Sequence, residues 1–116
     1  MKEIREARRI QFHNELESLL SGYLAVLDDG SSAIYFQPPE NVKLKYPCLL
    51  YSREPDYFRH ADDSPYFIKP HYEVTIISRD PDNNLADILV EHFKYCRFNR
   101  RIMADNLIHD MLGLYY

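Results

Sequence analysis

Apolar residues open the chain at helical spacing. Phe12, Leu16, Leu19, Leu20 and Tyr23 recur at steps of three and four, with Ile4 and Ala7 before them, and predict a helix over residues 2–21. Lys2, Arg5, Arg8 and Arg9 alternate with Glu3 and Glu6 at its start, and Glu15 and Glu17 follow. Basic charge at a helix N-terminus opposes the macrodipole, so this end is expected either to stay solvated or to meet an acidic partner. Two short apolar runs, 23–27 and 33–37, then flank Asp28-Asp29-Gly30-Ser31, and an Asp-Gly turn between such runs predicts a hairpin. Pro38-Pro39 closes the second run, because neither ring can donate to a strand ladder.

Over residues 44–52 Cys48 and Leu50 fall on one side of a strand and Leu49 and Tyr51 on the other. Pro47 either holds that run to a sheet edge or marks its start. The strongest strand signal lies in 66–78, where Tyr72, Val74 and Ile76 alternate with Glu73, Thr75 and Ile77, and where Pro70 predicts an early bend or an edge. Residues 78–83 are expected to start a second helix, since Asp caps and Pro is tolerated in a first turn. Leu85, Ile88, Leu89, His92 and Phe93 form its apolar face, which ends near Lys94. A strand over 95–103, a turn at Ala104-Asp105-Asn106 and a strand over 107–116 follow, although Leu107, Ile108, Met111 and Leu112 also fit one helical face. The order predicts one α+β domain over residues 1–116, an antiparallel, mostly meander sheet with two helices packed on one face.

Composition narrows the class. At 116 residues, 46% hydrophobic and 28% charged, the chain has material for a single core. Its 14 Lys+Arg against 18 Asp+Glu give a net charge of −4, the wrong sign for a protein whose main business is gripping phosphates. No apolar run reaches the ~18 residues of a membrane span, and no signal peptide is expected. Trp is absent while Tyr appears 10 times and Phe 6 times, a bias that suits protein interfaces. Cys48 and Cys96 stand isolated and are expected as reduced, buried thiols.

The search for chemistry yields little. His13, His60, His71, His92 and His109 include no helical i, i+4 pair, and neither cysteine belongs to a CxxC pair, so no metal site is expected. Asp28-Asp29 reads as a turn and Asp80-Pro81-Asp82 as helix capping. Asp62-Asp63 beside His60 resembles half of a hydrolytic site but lacks an oriented third partner, so neither a catalytic residue nor a cofactor is expected. Residues 53–66 mix Pro55, Pro65, Asp56, Asp62 and Asp63 with Tyr57, Phe58 and His60, which suits either a contact surface or aromatics folded back on the core. Lys94, Arg97, Arg100 and Arg101 form the one basic group. A regular strand there puts Arg97 and Arg101 on one face and Arg100 on the other, fit for an ion-paired protein interface.

The phrases Tyr35-Phe36-Gln37-Pro38-Pro39-Glu40-Asn41 and Leu44-Lys45-Tyr46-Pro47-Cys48-Leu49-Leu50-Tyr51 resemble small neck proteins of long-tailed phages and prophages of Gram-positive bacteria. So do Tyr72-Glu73-Val74-Thr75, Arg79-Asp80-Pro81-Asp82, Ala104-Asp105-Asn106-Leu107-Ile108-His109-Asp110 and Leu114-Tyr115-Tyr116, in that order along most of the chain. The element order is similar to that of lambda-type tail terminators. The resemblance implies a structural virion protein with no enzymatic activity and no cofactor, assembled in the host bacterial cytoplasm. It implies a homo-hexameric ring at the head-proximal end of the tail tube, in contact with the tail tube protein and a head-closure or connector protein. DNA would only pass through the channel, and a net negative charge would keep it from adhering. Pro47 and Pro70 would guard strand edges against indiscriminate pairing. Residues 54–68 are expected to contact a neighbouring subunit or the tube. The expected contact residues are Tyr57, Phe58, His60, Asp62, Asp63, Tyr66, Arg97 and Arg101. Three alternatives stay open: a head-closure or connector protein, a small hydrolase or nuclease using His60, Asp62 and Asp63, and a prophage-encoded binding module.

Overall fold

The computed structural model describes residues 2–54 and 70–116. Helix α1 (Lys2–Leu20) is followed by strands β1 (Ile34–Phe36), β2 (Cys48–Glu54) and β3 (His71–Ser78), helix α2 (Leu85–His92), and strands β4 (Cys96–Ala104) and β5 (Leu107–Tyr115). The sheet order is β1-β2-β3-β5-β4. The fold is therefore α+β, but the sheet is mixed rather than antiparallel, because β1 runs parallel to β2 in the register Ile34↔Leu49. Nor is it a plain meander, since β5 returns between β3 and β4.

Both helices cover the same face of the sheet. From α1 come Phe12, Leu16 and Leu20, from α2 Leu85 and Leu89, with Phe93 just beyond it; they close over Leu49, Tyr51, Tyr72, Val74, Ile76, Leu112 and Leu114. These sheet residues are the cross-strand partners Leu49↔Ile76, Tyr51↔Val74 and Val74↔Leu112, so a period of two delivers them all to one side. Phe12 is the hub. Its ring stacks on Tyr72 at 4.6 Å and meets Tyr51 and Phe93 edge-on at 5.3 and 5.7 Å. A second, smaller cluster on the other face holds Ala33, Cys48 and Ile77, with Leu27, Leu44, Tyr46 and Leu107 packed around it. The cysteines thus belong to opposite faces, Cys48 buried in the small cluster and Cys96 half-buried against the large one, and both are free thiols.

Several expectations change. The hairpin over 23–37 shrinks to a Val26–Ser32 bridge, in which Leu27 N donates to Ser31 O and Ala33 N to Ala25 O. Its second arm continues as β1 and takes β2 as partner, after a crossover through residues 37–47 of the length parallel pairing requires. Pro47 marks the start of β2, and Pro70 precedes β3; both strands are internal, so neither proline guards an edge. Tyr23, expected in the apolar face of the first helix, lies beyond it and is exposed. Helix α2 begins at Leu85, after the Asp-Pro-Asp turn rather than within it. Asp80 Oδ1 accepts from Asp82 N, which spends that carboxylate on a local turn, and Asn84 at the N-cap makes no side-chain capping bond. The segment 107–116 is strand, paired along its length with β3 and β4, and Asp105 and Asn106 supply the positive φ angles of a tight hairpin turn.

Candidate interaction surface

Strand β4 has no alternating apolar stripe; it closes the sheet on one side, and among the described residues only its inner edge is paired. Every residue from Arg97 to Ala104 is exposed. Among them Phe98 is 46%, Ile102 38% and Met103 71% exposed, large apolar side chains left open to solvent along one strand. An open strand edge offers unpaired N–H and C=O groups, and apolar side chains beside it add area for a partner to bury.

A β-bulge between Phe98 and Arg100 sets the direction of the charges. The extra residue, Asn99, shifts the alternation by one, so Arg97 pairs with Gly113 and Arg100 with Met111 on the face away from the helices. Arg101 pairs with Asp110 on the helix face. The expected grouping of Arg97 with Arg101 is therefore overturned, and Arg97 shares its face with Arg100 instead. Arg101 is also committed. Its Nε donates to Asp110 Oδ1 at 2.6 Å and its Nη2 to Oδ2 at 3.1 Å, while Nη1 donates to the Pro81 main-chain oxygen at 3.0 Å. The carboxylate of Asp110 raises the Arg101 guanidinium above its ordinary pKa, chiefly by hydrogen bonding. Arg101 is a strut between β4, β5 and the segment before α2, while Arg97 and Arg100 project into solvent.

Of the eight expected contact residues, Arg97 and Arg101 are in view. Tyr57, Phe58, His60, Asp62, Asp63 and Tyr66 lie outside the described residues. Phe98, Ile102 and Met103 join the surface beyond those expected, and Arg100 takes the place beside Arg97 that was expected of Arg101. Their signal was the lack of any period-two apolar pattern over 96–104, the mark of an edge rather than a buried strand.

Several other polar residues tie elements of the fold together. His13 Nδ1 lies 2.7 Å from the Tyr51 hydroxyl, and burial, seconded by Arg9, lowers its pKa. His92 pairs with Glu15 at 2.7 Å, and Glu15 also accepts from the Tyr116 hydroxyl at 2.6 Å. Arg8 donates from Nε and Nη2 to the Tyr116 main-chain oxygen, and Arg9 stacks over Phe36, so the basic start of α1 is partly tied down to β1 and to Tyr116. His71 stacks on Tyr115 at 4.5 Å. Burial pushes the Cys48 thiol up to about 12 and the Cys96 thiol up to about 11, which keeps both protonated at neutral pH and poor as nucleophiles. Among the described residues no group of three or more His, Cys, Asp or Glu is placed to hold a metal ion, and no helix is long and apolar enough to cross a membrane. An open groove lined by Tyr23, Tyr46, Arg79, Asn83, Asn84 and Leu85 holds Arg79 over the Tyr46 ring at 5.4 Å.

Compared with protein-family models, curated proteins and solved structures, the chain finds no match.

Proposed function

We propose that this protein is a structural component of a long-tailed phage particle, a ring at the head-proximal end of the tail tube that stops tube polymerisation and joins the tail to the head. One observation carries the contact role: a nine-residue edge strand, β4, that displays Phe98, Ile102 and Met103 beside Arg97 and Arg100. Exposed Phe, Met and Arg side chains along one strand edge are residue types enriched in protein interfaces. The ordered resemblance of phrases along most of the chain to phage neck proteins supplies the setting, and two helices on one face of a small sheet suit a subunit that must present unlike surfaces to unlike neighbours. The partners proposed are further copies of the chain, the tail tube protein and the head-closure or connector protein, with assembly in the host cytoplasm.

Deleting the gene from its phage tests the proposal. A terminator's absence leaves overlong tails without heads. Tails of normal length that fail to join heads would move the protein to the head-side connector, and normal joined particles would remove it from the neck altogether.

A further inference from the structure

We propose that the outer edge of β4 receives an extended, acidic segment of a different protein as an added strand, and does not pair with β4 or β1 of a second copy of this chain. This rests on the contact role of β4 argued above, and not on the six-fold ring.

The two ends of the sheet are unlike. β1 is three residues long and runs directly toward Pro38 and Pro39, which cannot donate to a ladder. β4 is nine residues long, exposed from Arg97 onward, and contains no proline. A head-to-tail continuation of the sheet, β4 of one copy against β1 of the next, therefore leaves most of β4 unmatched.

Self-pairing of β4 about a two-fold axis fails for another reason. In every antiparallel register centred between residues 98 and 101, an arginine among Arg97, Arg100 and Arg101 falls opposite or diagonal to an arginine of the other copy. Like charges so placed destabilise a strand pair. Arg101 is neutralised by Asp110, but Arg97 and Arg100 have no ion pair among the described residues, and β4 carries no acid of its own. The strand repels its own kind while remaining open to negative charge, which is how specificity against a wrong partner is built.

Those same arginines specify the right one. Arg97 and Arg100 share the face away from the helices, and Ile102 follows on that face, while Phe98 and Met103 stand on the other. An incoming strand with acidic side chains on the first face and apolar ones on the second would satisfy both, its main chain supplying the hydrogen bonds. An edge that was merely guarded against aggregation would need the bulge and the arginines but not three exposed apolar side chains.

Short capped peptides alternating Val with Glu, or Val with Lys, are the probes, with amide hydrogen exchange of residues 97–103 as the readout. The Glu peptide is expected to protect those amides and to be preferred over the Lys peptide by about tenfold. The double variant Arg97→Glu/Arg100→Glu, at two exposed positions, is expected to reverse the preference. Protection by neither peptide, or protection without charge preference, would reduce β4 to a guarded edge and overturn the proposal. Protection that rises with protein concentration in the absence of peptide would assign the edge to a second copy, and also overturn it. A protein that selects peptides as expected but builds no ring would fail only the ring reading; a ring whose β4 amides ignore the peptides would fail only this one.

Discussion

Arg101 grips Asp110 across the β4–β5 pair with two parallel hydrogen bonds, although the aspartate is 1% exposed and sits among the apolar residues of the helix-covered face. The pair does more than neutralise a buried charge. Through the bond to Pro81 it fixes where the exposed strand stands relative to the turn before α2. Arg101→Ala would leave the carboxylate buried and unpaired. Because the arginine side chain itself is 39% exposed, the expected loss is about 2 kcal/mol, below the 3–5 typical of a wholly buried pair. Urea unfolding of the variant checks it, and a double replacement, Arg101→Met with Asp110→Leu, should recover most of the loss.

Phe12→Ala is expected to be the most damaging single truncation. The ring is fully buried and touches Tyr51, Tyr72, Phe93 and Tyr116, so its removal opens a cavity between α1 and the sheet. A loss of about 3–5 kcal/mol should follow, enough to unfold a large fraction of a marginally stable domain at 37 °C. Chemical denaturation read by circular dichroism measures it.

Acid should lower the protein's stability in two steps. His13 is held below its ordinary value of 6.5 by burial and then by Arg9, so the neutral ring is the form that folds. Its contribution is intact above pH 6.5 and is lost as pH falls toward the lowered folded value. Glu15 is held below its ordinary 4.5 first by the Tyr116 hydroxyl and then by His92, against desolvation. That contribution is present above pH 4.5 and is lost below it. Melting temperature against pH should therefore fall in two steps, with His13→Gln removing the upper and Glu15→Gln flattening the lower.

The β4–β5 turn has its own test. Asp105 and Asn106 hold φ angles of 55° and 62°, a region that a β-branched residue tolerates poorly. Asn106→Val should cost about 1–2 kcal/mol, whereas Asn106→Gly should be neutral or slightly stabilising. Thermal melts of the two variants check the order.

Much of this fold is written locally, and the part that is not is instructive. The alternation Tyr72, Val74, Ile76 and the helical spacing of Phe12, Leu16, Leu20 each report one element's buried face, and the structure buries those residues. The Asp105-Asn106 turn is likewise a local preference. Strand order is different, because nothing in Ile34-Tyr35-Phe36 says that its partner lies beyond a crossover and runs parallel. Of the candidate surface, Arg97 was legible as an exposed charge. The bulge at Asn99 was not, since inserting one residue into a strand leaves no compositional mark, and it exchanged Arg101 for Arg100 on the exposed face. Phe98, Ile102 and Met103 follow no period of two, so the sequence assigns them to neither face, and only the sheet order shows that they lie on its last strand.

The claim that this chain is a ring-forming neck component meets its most direct test in the particle itself. Purified phage should contain the protein in about six copies, and a specific label should mark the head-proximal end of the tail, in keeping with closed cyclic symmetry. Its absence from intact particles would contradict the claim.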